Sequence, residues 1–284
     1  MPHLVTARAG FLAERLPAVI ALALPTLAGL AYLMAYGAPE SYVQVNAGAL
    51  LFGIVVIALC PAASRLAVRR AIAIALLALL FTPLVTGPSL SGVTRWLPLG
   101  PVTLHSGMLL VPALVALAAR DRDYAAPILL TGVLAAFFQP DAATGFALTF
   151  AAVGLHDVTK DWKIGVTAII AFFATLVMAM RGELPPQPFV ERVLADLSLT
   201  APLLALILFI SLVGAFFLIL RASGGERSVR YALAGSLFGF PIMAMISHYP
   251  APLIGYGAAP ILGFGLALAL NRTVRSAAGQ ELPA

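Results

Sequence analysis

Side chains suited to chemistry are few in this 284-residue chain, and most of them interrupt long apolar runs. Arg95 and Trp96 are neighbours in a stretch rich in Gly and Pro, where an arginine can pair with a phosphate and a tryptophan favours a membrane interface. Asp141, Glu183 and Glu191 are carboxylates that a proton-transfer reaction would use as a base. The sequence therefore indicates a site for a phosphate-bearing ligand, with acid–base chemistry open to the carboxylates.

Simpler interpretations of the loop residues remain open. Arg95 and Trp96 also fit an aromatic belt with a snorkelling arginine. Asp141 follows Gln139 and Pro140 and precedes Ala-Ala-Thr-Gly, so it also fits the cap of a helix. For these positions the sequence predicts either a ligand contact or a purely structural role.

Two residues closer to helices have the same two interpretations. His105 can exchange a proton near neutral pH, but a histidine hydrogen-bonded at a helix end is the simpler interpretation. Tyr256 lies within Gly-Tyr-Gly-Ala-Ala, whose small residues favour close helix packing. The alternative is that Tyr256 lines a cavity.

The composition identifies the environment of these residues. Hydrophobic residues make up 61% of the chain, against 17 Lys and Arg and 12 Asp and Glu, and the mean hydropathy is +1.01. Soluble domains are about 45–50% apolar and about 25% charged, so a soluble domain is excluded. Disorder is excluded as well, because so apolar a chain would not stay solvated. The sequence predicts an all-α polytopic membrane protein.

Several function classes are excluded or disfavoured. Cys60 is the only cysteine, and no Cys/His cluster has metal-ligand spacing, so we expect no cofactor and no metal site. A divalent cation would enter only with a pyrophosphate substrate, and no residue pattern indicates one. The basic pI of 9.7 is explained by cytoplasmic loops rather than by nucleic acid. The apolar run 16–36 after Arg8 and Arg15 is longer than the core of a signal peptide, which predicts a retained span.

About 20 residues are needed for each span, so the chain has room for about ten. They form one membrane domain over 1–284, whose last residues, 271–284, are a cytoplasmic tail. The predicted spans are 16–36, 43–61, 70–86, 104–119, 124–138, 142–156, 163–180, 198–220, 229–248 and 252–270.

The charges predict the orientation of these spans. With a cytoplasmic N-terminus, the inner loops carry 14 of the 17 basic residues, and only Arg95, Arg181 and Arg192 lie outside. Such a split follows the positive-inside rule, so both termini are predicted to be cytoplasmic.

Two outer connections are irregular. Residues 87–103 contain too much Gly and Pro to be helical. Residues 181–197 begin with a proline-rich turn and continue as an amphipathic stretch that can lie in the membrane interface. Its apolar side is expected to consist of Phe189, Val190, Val193, Leu194 and Leu197. Binding residues concentrate in loops of this kind, which makes both connections candidates for the site.

Four stretches in order resemble the SEDS family, the FtsW/RodA/SpoVE group that polymerises peptidoglycan from lipid II. GVTRWLPLGP at 92–101 resembles the family's GxRRWxxLGP loop, and FQPDAATG at 138–145 resembles LQPDLGTA. Residues 189–198 resemble the entry into the family's eighth helix, and YPAPLIGYGAAP at 249–260 resembles LPLPFISYGGSS. The resemblance spans about residues 15–272.

The resemblance implies a SEDS-like bundle in the bacterial inner membrane that works in cell-envelope synthesis, in division or elongation. It implies an undecaprenyl-pyrophosphate-linked glycan as ligand, membrane lipids around it, and a class B penicillin-binding protein or divisome component as partner. The implied substrate-binding residues are Arg95, Trp96, Gln139, Asp141, His105 and Tyr256. If the chain is an enzyme, it is a lipid II-dependent glycosyltransferase whose base is one of Glu183, Glu191 and Asp141.

Three charged residues of the family are replaced in this chain. Pro188 occupies the position of the family's catalytic Asp, and Met108 and Val111 occupy those of its Glu and Lys. Ionisable groups within a membrane persist only with a function or a partner, so their joint loss indicates altered chemistry. The alternative to an enzyme is a non-catalytic relative that scaffolds a partner synthase. A small-molecule transporter is the third alternative, although no internal repeat supports it.

Overall fold

The computed structural model of the protein describes residues 2–60, 65–100, 102–182, 184–222 and 225–271, with side chains from Arg15 onward. Its helices are α1 (Pro2–Ala35), α2 (Glu40–Leu59), α3 (Leu66–Phe81), α4 (Pro83–Thr86), α5 (Ser106–Ala118), α6 (Ala125–Phe138), α7 (Ala142–Thr159), α8 (Trp162–Ala179), α9 (Val193–Thr200), α10 (Pro202–Phe217), α11 (Arg227–Ile246) and α12 (Ala258–Leu270). A π-helical turn, Leu218–Ala222, follows α10, and strands β1 (Trp96–Leu99) and β2 (Val102–His105) form a hairpin.

The helices have the length and composition of a membrane protein. Among the described residues, six helical segments are long and apolar enough to cross a membrane, and α5, α6 and α12 are shorter apolar helices. Large apolar side chains are exposed on the outward faces of α2, α3, α8 and α10, for example Leu51, Ile74, Phe173 and Leu203. A lipid environment covers such surfaces, so the predicted all-α polytopic fold class is confirmed.

Helices α5 and α12 form the centre of the bundle. Every residue of α5 except Leu109 is buried, and α12 is buried at all positions except Leu262 and Leu266. Helix α12 packs between α5 and α2, whereas α7 packs between α11 and α8. A helix that is apolar all round is stable only when neighbours surround it, which explains why these two are central.

The connections gather at two opposite ends of the bundle. The loops at 87–105, 139–141, 180–192 and 247–257 meet at one end, which we call the Arg95 end. The connections at 119–124, 160–161 and 225–227 meet at the other, which we call the Arg120 end. Helix α5 starts at the first and finishes at the second, so about 20 Å separates them. The charge pattern predicts that the Arg95 end is outside.

Some helices differ from the predicted spans at their ends. The predicted span 198–220 is divided in the structure, since α9 stops at Thr200 and α10 starts at Pro202. Proline favours the first turn of a helix and disrupts an interior, which is why the break falls there. The predicted span 252–270 is helical only from Ala258, because residues 251–257 form a turn-rich segment. The predicted span 104–119 loses its first two residues to β2.

The stretch at 87–103 is more regular than the sequence suggests. Trp96 pairs with His105 and Leu99 with Val102 in an antiparallel hairpin, which is the one sheet among the described residues. The backbone N–H of Ser106 donates to the carbonyl of Arg95 at 2.9 Å. The hairpin thus fixes Arg95 directly beside the start of α5.

Part of the amphipathic stretch at 181–197 packs on the bundle. Its helical part, α9, covers only Val193–Thr200 and contacts α10 and α11. Val193, Leu194 and Leu197 are buried there. These three residues belong to the predicted apolar side, and they pack against the bundle.

Candidate functional site

The Arg95 end holds a buried cluster made by four separate segments of the chain. Arg95 comes from the hairpin, His105 from the start of α5, Asp141 from the turn between α6 and α7, and Tyr249 from the segment between α11 and α12. The side chains of Arg95, His105, Asp141 and Tyr249 are all buried. The structure therefore brings together three of the predicted substrate-binding residues and adds one that we did not predict.

Asp141 is the N-cap of α7, which confirms the structural interpretation of this residue. Its Oδ1 accepts from the backbone N–H of Thr144 at 3.2 Å, and its Oδ2 accepts from the Thr144 hydroxyl at 2.5 Å. A cap of this type satisfies backbone donors that the first helical turn leaves unpaired. Asp141 is fully buried, so both of its oxygens are engaged in a dry setting.

His105 caps α5 and faces Asp141. Its Nδ1 accepts from the backbone N–H of Met108 at 3.3 Å, so a neutral imidazole here carries its proton on Nε2. That Nε2 lies 3.6 Å from Oδ2 of Asp141, which is an electrostatic contact and too long for a hydrogen bond. The helix-end interpretation of His105 is thus correct, and the contact with Asp141 adds to it.

A glycine allows these two helix starts to approach. A Cβ on Gly107 would lie 1.6 Å from the Thr144 hydroxyl oxygen and 2.9 Å from Oδ2 of Asp141. Any larger residue would therefore separate α5 from α7. The distance between His105 and Asp141 depends on this close contact.

Arg95 is enclosed by aromatic rings and is not exposed to lipid headgroups. Its guanidinium carbon lies 4.5 Å from the ring centre of Tyr249 and 5.2 Å from that of Trp96. The side chain is 0% exposed, which rules out a snorkelling arginine in an interface belt. We expected Arg95 at headgroup level, but the hairpin folds it inward against the 249–257 segment.

The hydrogen bonds of Arg95 are incomplete. Nη1 donates to the carbonyl of Gly182 at 3.4 Å, whereas Nε and Nη2 have no hydrogen-bond partner among the described residues. Buried donors in folded proteins are nearly always paired, so two free donors on one cation need an explanation. An anion is the ligand that such donors would bind most strongly.

Gln139 joins helices through both ends of its side-chain amide. Its Oε1 accepts from the Ser106 hydroxyl at 3.0 Å, and its Nε2 donates to the carbonyl of Leu80. The side chain is fully buried. Gln139 therefore positions α3, α5 and α6 around the cluster.

Tyr256 belongs to a neighbouring aromatic group and not to the cluster. Its ring stacks on Tyr42 with centres 3.6 Å apart and planes 7° apart. Its backbone N–H donates to the carbonyl of Phe189 at 2.7 Å. Packing is thus the interpretation of Tyr256 that the contacts support.

Glu191 is buried in the protein and does not face water. Its Oε2 accepts from the backbone N–H of Gln187 at 3.1 Å, and the residue forms an isolated β-bridge with Pro250. Burial raises the pKa of the Glu191 carboxyl, although the charges of Arg95 and His248 oppose the rise. Pro188, which the resemblance aligns with the family's catalytic Asp, is exposed in the same turn. Glu183 lies outside the described residues.

Tyr249 is the member of the cluster that we missed. Its hydroxyl accepts from the backbone N–H of Ala142 at 3.1 Å, and burial raises the pKa of its phenol. The signal available in the sequence was its place at the start of the YPAPLIGYGAAP stretch. Nothing local indicates its contact with Arg95, because 154 positions separate the two residues.

The cluster is suited to binding an anion rather than to moving a proton. It offers one cation with free donors, but the carboxylate beside it is fully engaged as a helix cap. A general base needs a hydrogen bond to the proton that it removes. No group of three or more His, Cys, Asp or Glu residues suited to a metal ion is found in the described part of the chain.

Comparisons with known proteins show the fold. No family model matches the sequence, and no curated protein matches it. The rod shape determining protein RodA of Thermus thermophilus matches with a TM-score of 0.62 and 17% identity, covering 89% of this chain and 93% of that one. A mutant of that RodA matches with a TM-score of 0.62 and 18% identity, covering 89% and 94%.

A third neighbour comes from a structure of a peptidoglycan synthase complex that coordinates polymerization and crosslinking. It matches with a TM-score of 0.60 and 18% identity, covering 89% of this chain and 96% of that one. The similarity thus extends over nearly the whole length of each neighbour. The resemblance to the SEDS family is confirmed at the level of the fold: the chain is a polytopic membrane protein with the fold of RodA.

Proposed function

We propose that this protein works in peptidoglycan synthesis in the bacterial cytoplasmic membrane, where its Arg95 end binds a polyprenyl-pyrophosphate-linked glycan such as lipid II. The observation that carries the proposal is the buried guanidinium of Arg95, two of whose donor atoms have no hydrogen-bond partner among the described residues, within a fold shared with RodA. The proposed role is binding in support of a partner synthase, without polymerisation by this chain alone.

A pyrophosphate fits the free donors of Arg95. Arginine presents N–H groups in a planar fork, and two of them bind two oxygens of a phosphate at once. Low polarity around the cluster strengthens such a contact. Both oxygens of the nearby Asp141 accept hydrogen bonds from Thr144, so they do not compete for the N–H groups of Arg95.

The hairpin provides the route to Arg95. Trp96 covers one face of the guanidinium and is itself only half-buried, on a two-stranded sheet that packs at the edge of the bundle. Displacement of Trp96 would open the guanidinium to a ligand without disturbing α5 or α7. Binding would therefore be coupled to a movement of the β1–β2 hairpin.

Polymerisation by this chain alone is disfavoured because no described carboxylate is placed as a base. Asp141 caps α7, Glu191 accepts from its own turn, and Pro188 cannot accept a proton. Glu183 stays a candidate on sequence grounds. A class B penicillin-binding protein is the partner that we propose, since one structural neighbour comes from a peptidoglycan synthase complex.

The proposal is tested by equilibrium binding of lipid II to the purified protein and its variants. Arg95→Ala should weaken binding by about 1.5–3 kcal/mol, the value of one charge-assisted hydrogen bond, which corresponds to roughly tenfold to a hundredfold. Arg95→Lys, which keeps the charge, should retain part of the affinity. Arg65→Ala, at an exposed position just before α3, is the matched control and should bind as the unmodified protein does.

Two results would contradict the proposal. The first is unchanged binding in a folded Arg95→Ala variant, which would leave Arg95 a purely structural residue. The second is an equal loss in Arg65→Ala, which would show that any missing arginine weakens adhesion of the lipid. Thermal unfolding of each variant shows whether the protein measured was folded.

A further inference from the structure

A second polar site lies at the opposite end of the bundle, where the structure has an open cavity of about 540 Å³. Nothing in the proposed function uses it. Its lining includes three arginines and three acidic residues: Arg120, Asp121, Arg122, Asp161, Glu226 and Arg227. A cavity of this size accommodates a small polar ligand or a lipid headgroup.

The acidic residues of the cavity are already paired. Asp121 accepts from Nε of Arg70 at 2.6 Å and from its Nη2 at 3.0 Å. Glu226 accepts from Nε of Arg120 at 3.3 Å. Asp161 caps α8 by accepting from the backbone N–H of Lys163 at 2.9 Å. These carboxylates therefore repel an anion less than their number suggests.

Two arginines of the cavity keep donors for a ligand. Arg122 is exposed and makes no hydrogen bond or ion pair with any other described residue. Arg227 is exposed too, and its contacts are a 3.5 Å hydrogen bond to the Tyr231 hydroxyl and a place over the Tyr231 ring. The N–H groups that remain available to a ligand in the cavity thus belong to positively charged side chains.

The backbone adds to the positive potential of the cavity. Three helices begin at its wall: α6 at Ala125, α8 next to Asp161, and α11 at Arg227. A helix start leaves N–H groups without helical partners and carries a partial positive charge. Some of these N–H groups are paired within the protein, since that of Ala125 donates to the carbonyl of Asp121 and that of Lys163 to Asp161. An anion in the cavity would face these three helix starts as well as the arginines.

Exposed aromatic residues place the cavity at the level of lipid headgroups. Tyr124 lies just before α6, and Trp162 is the first residue of α8; both are exposed next to the cavity lining. Tyrosine and tryptophan concentrate where a membrane meets water. The cavity therefore opens where phosphates of one membrane leaflet lie.

We propose that this cavity, between the starts of α6, α8 and α11, binds a phosphate group through Arg122 and Arg227, as carried by an anionic lipid headgroup. Basic pockets between membrane helices on the cytoplasmic side bind such headgroups in other proteins. The charge pattern of the chain predicts that this end is cytoplasmic. The site is independent of Arg95, so its failure would not affect the proposed binding of lipid-linked glycan.

Native mass spectrometry of the detergent-purified protein tests this site with two lipids that share acyl chains but differ in headgroup charge. Phosphatidylglycerol should be retained at least tenfold better than phosphatidylcholine by the unmodified protein. Arg122→Ala with Arg227→Ala should reduce retention of phosphatidylglycerol to the level of phosphatidylcholine. Arg122→Gln alone should give an intermediate loss, and its exposed position leaves the fold intact.

Arg192→Ala is the matched control, because Arg192 lies at the Arg95 end and pairs there with Asp196 at 3.4 Å. It should retain phosphatidylglycerol fully. A competition arm with glycerol 1-phosphate separates the sources of phosphate: displacement assigns the site to a free phosphate, and no displacement assigns it to the lipid. Equal retention of both lipids, an unchanged double variant, or an equal loss in Arg192→Ala would each overturn the proposal.

Discussion

At the Arg95 end of the bundle the charged cluster is enclosed, whereas at the Arg120 end charged side chains border an open cavity. Arg95 and Asp141 are fully buried and belong to a group held by helix caps and aromatic rings. Arg122 and Arg227 are exposed beside carboxylates that are already paired. One end is therefore built around a single enclosed cation, and the other exposes the donors of two arginines to the proposed ligand.

The difference shows how one bundle can hold charge in a membrane in two ways. A buried charge is costly unless other groups compensate it, so the Arg95 end requires a fixed geometry. Exposed arginines at the headgroup level cost little, so the Arg120 end requires no such geometry. Helices α5 and α7 connect the two ends, since both begin at the Arg95 cluster and finish at the cavity.

The largest expected effect concerns the orientation of the two ends. A reporter fused after Arg227 should be active in the cytoplasm, and one inserted within 181–190 should be active outside, because 14 of 17 basic residues fall in the predicted inner loops. Alkaline phosphatase and fluorescent protein fusions measure this. The reverse pattern at either position would exchange the assignment of outer and inner end.

The second effect concerns catalysis at the Arg95 end. Without a placed base, a contribution of roughly 10²–10⁴ in rate is missing, so the protein alone should form glycan strands from lipid II very slowly or not at all. Pro188→Asp should not restore the reaction, because Pro188 is exposed and a carboxylate there would face water instead of the buried cluster around Arg95. Gel analysis of the glycan products measures this.

Rapid strand formation by the unmodified protein without a partner would contradict that prediction. Glu183→Gln and Glu191→Gln would then identify which carboxylate acts as the base. Addition of a penicillin-binding protein is the complementary experiment. The proposed scaffold should change the rate of the reaction that its partner catalyses, without catalysing a reaction of its own.

The third effect concerns the contact between helices α7 and α11, which also run from one end of the bundle to the other. A Cβ on Gly235 in α11 would lie 2.1 Å from the carbonyl oxygen of Phe150 in α7. Gly235→Ala should therefore separate α7 from α11 and destabilise the protein by about 1–3 kcal/mol. Thermal unfolding in detergent measures this, and ligand binding at both ends should weaken together.

Gly48→Ala is the control for that substitution. Gly48 lies within α2, and a Cβ there would meet nothing within 4 Å. Alanine is favoured over glycine in a helix by about 0.5–1 kcal/mol, so this variant should be as stable as the unmodified protein or slightly more so. Equal destabilisation by both substitutions would show that the α7–α11 contact is not special.

The smallest effect is a difference in pH dependence between one carboxylate at each end. Burial raises the pKa of Glu191, so its contribution to stability is complete below the usual carboxyl pKa and is lost as pH rises through the raised pKa. The hydrogen bond from Arg70 lowers the pKa of Asp121, so its contribution is present above the usual pKa and lost as pH falls through the lowered one.

Substitutions isolate the opposite pH dependences of stability that Glu191 and Asp121 produce. Glu191→Gln should be more stable than the unmodified protein at pH 8 and indistinguishable from it at pH 4, because the amide keeps the acceptor for Gln187 without a charge. Asp121→Asn should be less stable at pH 8, and the difference should shrink only in strong acid. Melting temperatures measured across pH test both predictions. If the two substitutions changed the pH dependence of the melting temperature in the same direction, the two carboxylates would have similar environments.

Features that depend on neighbours in the chain were readable from the sequence. The apolar composition alone indicates a lipid environment, because a soluble protein could not carry it. The cap at Asp141 acts on Thr144, three positions away, so a local pattern is enough to predict it. The four stretches that resemble the SEDS family indicated the RodA-like fold for the same reason, since each is a short run of adjacent residues.

Features that depend on distant segments were decided only by the tertiary structure. Burial of Arg95 requires Tyr249, and burial of Glu191 requires the bridge to Pro250, and no local pattern reports either contact. The cavity at the Arg120 end is assembled from three connections between different helices. Whether a charged side chain meets lipid, water or an aromatic ring is set by packing between segments, so residue type and spacing alone leave it undetermined.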